Sequence, residues 1–308
     1  VSPAPEGSGG SGGDGDPGRS LPAALLAAVD GLTEARPVLV VTDFDGTLSP
    51  IVPDPPAARI LPAARRAIQR LAALASRDDA PVMVAVLSGR DAADLARRVA
   101  VAGPRYLGQH GIEEARLPRS GRSAAPMELA IDPDLTARGR ELEEIAGDVA
   151  RALGRPDWLV VEPKGASVGL HYRRAPDPDG ARTRLLAALA TVLAARDDGA
   201  QLIESRRAVE LRPDAAQGKG ETAARLLATL EPGSVLVLGD DRTDAHAFEA
   251  VRRWRAASDR PALIVGVSGA HETPPEIVSG ADVVVDDPAA AAALLARLAD
   301  GLRAARPR

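Results

Sequence analysis

The apolar positions of this chain fall into two patterns. Short, almost uninterrupted apolar runs occupy residues 38–41, 82–87, 235–238, 263–267 and 283–285. Runs of this length, rich in valine, read as strands buried on both faces. Other segments repeat at helical spacing, as in Ala64, Ile68, Leu71 and Ala75, and predict helices at 21–32, along that face, and at 91–101, 221–230, 245–254 and 289–302. A short third strand is expected at 106–108. Strands alternating with helices predict a doubly wound parallel sheet.

The middle of the chain reads differently. It predicts a helix at 135–153, strands at 158–162 and 167–173, a helix at 180–195, and strands at 201–205 and 208–212. Val168, Leu170 and Tyr172 alternate with Gly169, His171 and Arg173, the mark of a sheet with one wet face. The expected fold class is therefore α/β, a doubly wound parallel-sheet (Rossmann-like) core with an inserted α+β cap domain. The expected divisions are a disordered tail at 1–20, a core at 21–117 and 213–308, and the insert at 118–212. The tail is Gly, Ser, Pro and Asp with hardly a large apolar residue, a composition that cannot bury a core.

Two of the buried strands end in acids. The first runs into Asp43-Phe44-Asp45-Gly46-Thr47, and a later one into Gly239-Asp240-Asp241-Arg242-Thr243-Asp244. In an open α/β sheet ligands bind at the carboxyl ends of the strands, so both acid sets face one site. Gly46 tolerates positive φ and lets the chain bend beside the first pair. Carboxylates gathered this closely repel one another, and a Mg²⁺ ion with oxygen ligands relieves that. Asp240, Asp43 and the backbone carbonyl of Asp45 are the expected ligands, with Asp241 or Asp244 orienting a bound water or a lysine. The other reading of the second set is an acidic helix N-terminus, which the helix dipole favours. Ser88 closes the 82–87 strand; its hydroxyl either binds phosphate oxygens or caps the next helix.

Composition sharpens this picture in three ways. There is no cysteine, so disulfides and thiolate metal sites are absent and a hard ion is favoured. The formal net charge is −5, which argues against nucleic acid as a partner. Of 38 basic residues only Lys164 and Lys219 are lysine. In a chain biased toward Arg, Ala, Pro and Gly, a retained lysine points to a place where a compact point charge is needed rather than a broad fork. The other reading of Lys219 is a surface residue at a helix start. With 308 residues, no apolar run of membrane length and no leader-like pattern, the expectation is a cytoplasmic monomer without a membrane partner.

Taken together, Asp43-x-Asp45-Gly46-Thr47, Ser88-Gly89-Arg90, Lys219-Gly220 and Gly239-Asp240-Asp241-x-Thr243-Asp244 resemble, in order, the four motifs of the haloacid dehalogenase superfamily. The insert lies between the second and third, as a type-two cap does. Within it Glu162-x-Lys164, His171-Tyr172-Arg173 and Glu210-x-Arg212-Pro213 resemble the cap signature of trehalose-6-phosphate phosphatases, and Gly108-Gln109-His110-Gly111-Ile112-Glu113 resembles another of their segments. The resemblance implies a Mg²⁺-dependent phosphatase acting on a small phosphorylated disaccharide. It implies Asp43 as nucleophile, Asp45 as general acid and base, and Lys219 and Ser88 as charge-neutralising groups. It further implies a metal set of Asp43, Asp45, Asp240, Asp241 and Asp244. Gly46, Thr47, Gly89, Arg90 and His110 would line the phosphate side, and Glu162, Lys164, Arg173 and Glu210 would hold the sugar.

One departure stands out. The family pattern continues with acids where this chain has Ala245 and His246, and His246 reads as a helix-surface residue. Two rival functions stay open: the same chemistry on a trehalose-like pseudo-disaccharide phosphate, and a non-catalytic sugar-phosphate-binding regulator.

Overall fold

The structure, a computed structural model, describes residues 21–52, 54–76, 79–118, 126–131, 133–163, 165–196, 200–205, 207–213, 218–269 and 273–304. The expectations for the 1–20 tail and for Lys164 lie outside the described residues.

In chain order the first half of the core comprises α1 (Ala23–Leu32), β1 (Val38–Thr42), α2 (Pro62–Leu74), β2 (Val82–Leu87), α3 (Ala92–Val99), β3 (Arg105–Gly108), β4 (Glu113–Arg116) and β5 (Glu128–Ile131). The insert follows with α4 (Pro133–Ala152), β6 (Val160–Pro163), β7 (Val168–His171), α5 (Pro178–Ala194), β8 (Ala200–Ser205) and β9 (Ala208–Pro213). The core then resumes with α6 (Lys219–Leu230), β10 (Ser234–Gly239), α7 (Arg242–Ser258), β11 (Ala262–Val267), α8 (Pro275–Gly280), β12 (Val283–Val285) and α9 (Pro288–Ala304).

The large sheet has the order β12-β11-β10-β1-β2-β3-β4-β5. Its first six strands are parallel; β4 and β5 extend one edge antiparallel. The central strands are buried on both faces, which is why they read as continuous apolar runs. Val38, Val40, Leu236 and Leu238 face α1, α2, α3 and α9, while Leu39, Val41, Val235 and Val237 face α6, α7 and α8. Each strand thus feeds two separate apolar layers at the side-chain period of two.

The sequence pattern predicted neither β4 nor β5. Glu113-Glu114-Ala115-Arg116 is charged, and its strand exists because it pairs antiparallel with β3 and because Arg105 and Glu114 form an ion pair across it. The pattern also passed over α8, a helix of one and a half turns.

The insert folds as a four-stranded antiparallel sheet, β6-β7-β9-β8. Val168, Leu170, Val209 and Leu211 pack one face against α4 and α5 through Leu142, Ile145, Leu185 and Leu189. The opposite face carries Glu162, Gly169 and Glu210 side by side in register. The protein is therefore an α/β core with an inserted α+β cap. Strand β7 ends at His171, two residues short of the expected limit, and Arg173 lies in the turn beyond it.

Phe248 is fully buried in the layer under α7. Phe248→Ala should lower the unfolding free energy by about 3–5 kcal/mol, read from urea denaturation.

Candidate active site

The site forms where β1, β2, β3 and β10 deliver their carboxyl ends to one edge of the sheet. Register puts Thr42 of β1 beside Leu238 of β10 and Val86 of β2, and the next residue, Asp43, donates its backbone N–H to the Leu238 carbonyl at 3.1 Å. Asp43 and the acids after β10 are thus neighbours by strand pairing alone. After β1 the chain folds into a tight loop in which Leu48 and Ser49 both donate to the Phe44 carbonyl. Gly46 takes φ +83°, and a Cβ there would lie 1.9 Å from an Asp240 carboxylate oxygen. Glycine is therefore required twice over, by conformation and by room.

Lys219 is the centre of the charge arrangement. Its Nζ donates to Asp43 Oδ1 at 2.6 Å and to Asp244 Oδ1 at 2.8 Å. All three side chains are nearly sealed from solvent, with exposures of 3%, 6% and 4%. The surface reading of Lys219 is thereby replaced: it opens α6, but pointing inward. Burial alone would lower the ammonium's pKa; the carboxylates of Asp244 and Asp43 outweigh that and hold it raised.

The acids are strained in the opposite sense. Oxygens of Asp43, Asp240 and Asp244 all lie within 4.8 Å of one another. Burial first, and then the neighbouring carboxylates Asp244 and Asp240, raise Asp43 well above its ordinary value against the pull of Lys219. Burial with Asp244 beside it pushes Asp240 up to about 7, and burial brings Asp244 to about 6 despite Lys219. Three carboxylates share one ammonium, so full ionisation leaves two negative charges without a partner. A divalent cation supplies that charge, and the donor set, all oxygen, suits a hard ion. The residues present therefore fit a metal.

Asp241 and Asp45 stand apart from this trio. Asp241 caps α7, its Oδ1 accepting from the N–H groups of Thr243 and Asp244 at 2.8 and 3.1 Å. The helix-terminus reading of this acidic motif holds beside the metal reading rather than against it. Asp45 is gripped by Arg90 through two hydrogen bonds, at 2.6 and 2.7 Å. Arg90 also reaches Asp94 and lies 5.5 Å from the Phe44 ring centroid. Thr47 Oγ1 donates to Asp240 Oδ1 at 3.0 Å and steadies that carboxylate.

Ser88 is buried and does not cap the helix that follows; α3 begins four residues later, at Ala92, with Asp91 at its N-cap. Its backbone carbonyl accepts from His110 N–H at 2.9 Å, so the loops after β2 and β3 are tied together. The His110 ring lies over Gly89, where a Cβ would come within 3.1 Å of it. His110 Nδ1 is buried without a partner. Burial, and then the charges of Lys219 and Arg212, bring its pKa down to about 4, so the ring is neutral near pH 7. A cavity of about 370 Å³ opens here, lined by Asp43, Asp45, Ile51, Val52, Ser88, Gly89, Arg90, His110, Lys219 and Asp241. A wider groove of about 900 Å³ between α6 and α7 contains none of the clustered acids. His246 lines that groove from the exposed face of α7, so the departure from the family pattern at 245–246 leaves the acid trio untouched.

The cap residues are less gathered. Glu162 pairs with His171 at 2.7 Å, and Glu210 accepts from Arg212 at 2.8 Å and from Ser167 at 3.0 Å. None of them lines the 370 Å³ cavity, although Glu210 and Arg212 act electrostatically on His110. Sequence reasoning passed over Asp94, Thr222 and Ser167. Thr222 Oγ1 holds the His110 carbonyl at 2.8 Å. A hydroxyl at a helix or loop position, or a single acid on a helix, carries no pattern of its own, so nothing in the sequence marked these residues.

The sheet order, the two acid-bearing strand ends and the buried lysine are together what the superfamily resemblance implies. The chain belongs to the trehalose-phosphatase family, whose pattern it matches over residues 41–273. It is 38% identical over 285 residues to the trehalose-phosphate phosphatase of Mycobacterium avium, covering 91% of this chain and 66% of that protein. It is 39% identical over 240 residues to that of Mycobacterium tuberculosis, covering 75% and 56%. The chain thus spans somewhat under two thirds of the length of these curated relatives. Among solved structures it resembles the trehalose-6-phosphate phosphatase of Aspergillus fumigatus, with a TM-score of 0.62, 26% identity and coverage of 91% and 98%.

Without a divalent ion, acids whose pKa values are raised on folding bind protons more readily in the native state than in the unfolded one. Stability then falls as pH rises from their ordinary value near 4 through about 6 and 7. The metal-free protein should melt at lower temperature at pH 7.5 than at pH 5.5, with a shallower slope for Asp240→Asn. Divalent ion should raise the melting temperature more at the higher pH. Scanning fluorimetry across both pH values, with and without chelator, checks this.

Proposed function

We propose that this chain is a Mg²⁺-dependent phosphatase that hydrolyses trehalose 6-phosphate to trehalose and phosphate through an aspartyl-phosphate on Asp43. The observation that carries the reading is the buried Lys219 bonded to both Asp43 and Asp244 at the mouth of a family-matched sheet. Such a lysine fixes one carboxylate oxygen of Asp43 and leaves the other to act.

In the first step Asp43 attacks phosphorus. The bond from phosphorus to the sugar oxygen breaks, and Asp45, released from Arg90 and protonated, gives that oxygen its proton. In the second, Asp45 takes a proton from water, the water oxygen attacks phosphorus, and the Asp43 carboxylate departs with phosphate released. Lys219 has three N–H donors, of which Asp43 and Asp244 take two; the third and the Ser88 hydroxyl would bind phosphoryl oxygens. Gly46, Thr47, Gly89, Arg90 and His110 shape the phosphate side. The metal would be held by Asp43, Asp240 and the Asp45 carbonyl, with Asp244 and Asp241 behind them. When bound it would neutralise the charge of acids and phosphate together.

We take the cap to begin after β5 rather than at residue 118, since Glu128–Ile131 joins the core sheet; it would present the sugar with Glu162, Lys164, Arg173 and Glu210 and exclude bulk water on closing. No helix among the described residues is long and apolar enough to cross a membrane. We take the enzyme to act in the cytoplasm, as a monomer on a small molecule.

The test is phosphate release with Mg²⁺ across trehalose 6-phosphate, its pseudo-disaccharide analogues, sucrose 6-phosphate and glucose 6-phosphate. Preference for trehalose 6-phosphate, with loss of turnover in a folded Asp43→Asn variant, is the expected result. Preference for an analogue would move the substrate and keep the chemistry. Full activity in Asp43→Asn would overturn the mechanism, and binding without release from any member would favour a regulator.

A further inference from the structure

The cap and core meet at a hydrogen bond that nothing in the catalytic scheme uses. Ser167, on the cap just before β7, is fully buried. Its Oγ lies 3.0 Å from Glu210 Oε1 in the cap and 3.2 Å from Gln109 Oε1 in the core. Both are acceptors. The Gln109 amide is oriented by Glu113, whose Oε1 accepts from Gln109 Nε2 at 2.7 Å, so the carbonyl oxygen faces Ser167. A serine hydroxyl has one hydrogen to donate. At any moment Ser167 serves one side or the other.

The core side of this link leads straight to the phosphate loop. Glu113 Oε2 accepts from the N–H of Ala92, the first residue of α3. Gly108 makes that approach possible, since a Cβ there would sit 2.1 Å from the same nitrogen. Gln109 N–H donates to the Arg90 carbonyl and His110 N–H to that of Ser88. Gln109, His110 and Gly111 hold φ of +48°, +61° and +107° in succession, a conformation that non-glycine residues keep only when their surroundings impose it.

We propose that Ser167 is a positioning residue that couples sugar occupancy of the cap to the phosphate-binding turn by exchanging its one hydrogen between Glu210 and Gln109. With the cap empty, Glu210 Oε1 receives Arg212 and competes for Ser167. A sugar hydroxyl donating to that oxygen adds a further donor to its two lone pairs and displaces Ser167, whose hydrogen rotates to Gln109. The link from cap to core strengthens when, and only when, a hydroxyl-bearing ligand is present.

The inference rests on the reading of Glu210 as a sugar-holding residue, and its test separates the two. Ser167→Ala and Gln109→Leu are compared singly and together on trehalose 6-phosphate and on p-nitrophenyl phosphate, which has no sugar. Ser167→Ala should lower kcat on the sugar phosphate by about tenfold with a smaller change in KM, and leave p-nitrophenyl phosphate hydrolysis within about twofold. The double variant should be no worse than Gln109→Leu alone. Equal loss on both substrates would mean a merely structural serine and overturn the proposal, as would no loss on either or additive effects in the double variant. A wild-type protein that hydrolyses p-nitrophenyl phosphate but no sugar phosphate would overturn the functional reading and the coupling with it.

Discussion

The site depends on one ammonium held among acids in a place from which water is shut out. Lys219 bonds Asp43 and Asp244 with almost no exposure. A buried charge without such partners would cost several kcal/mol, so the arrangement stands or falls as a set. Its members come from three distant parts of the chain: the end of β1, the start of α6 and the first turn of α7. What brings them together is the parallel pairing of β1 with β10 and the packing of α6 on α7 beneath them. The two apolar layers of the core are therefore the support on which a charged cluster can be assembled at one edge.

The same logic explains how the polar loops are kept in register with one another. Each strand end in the site is tied to its neighbour by a backbone or side-chain bond: Asp43 N–H to Leu238, Thr47 to Asp240, His110 N–H to Ser88, Thr222 to the His110 carbonyl. These are short-range ties between segments far apart in sequence. They let four loops with little regular structure act as one rigid rim, which is what placing groups around a reacting phosphorus demands.

The core strands were legible because burial on both faces leaves almost no polar residue to blur the run; β2 and β12 begin and end where the apolar stretches do, and β1 runs one residue further, to Thr42. The acids and Lys219 were legible because two buried strands end in carboxylates and lysine is scarce in this chain, although a helix terminus and a surface lysine were ordinary readings of the same residues. Strands β4 and β5 were not, since Glu114 and Arg116 are strand residues only by virtue of their partners. Ser88 could be read as a cap or as a binding hydroxyl, and only the start of α3 at Ala92, with Asp91 at its N-cap, removes the cap reading. Ser167 and Gln109 are 58 positions apart, and no local pattern links a serine to an amide across that distance. The described residues do not include Lys164, and the placing of Arg173 in a turn shows how a two-residue change in a strand's end alters which side chains share a face.

The grip of Arg90 on Asp45 bears on which solutes the open pocket can attract. Its guanidinium is already matched by two carboxylates, Asp45 and Asp94, and its flat face is covered by Phe44. To a passing chloride or bicarbonate such an arginine presents little net field. Only a species carrying enough charge, and enough oxygen atoms in the right fork, can displace a bidentate carboxylate. The guanidinium is thus held ready by carboxylates and an aromatic face rather than left as an open anion site.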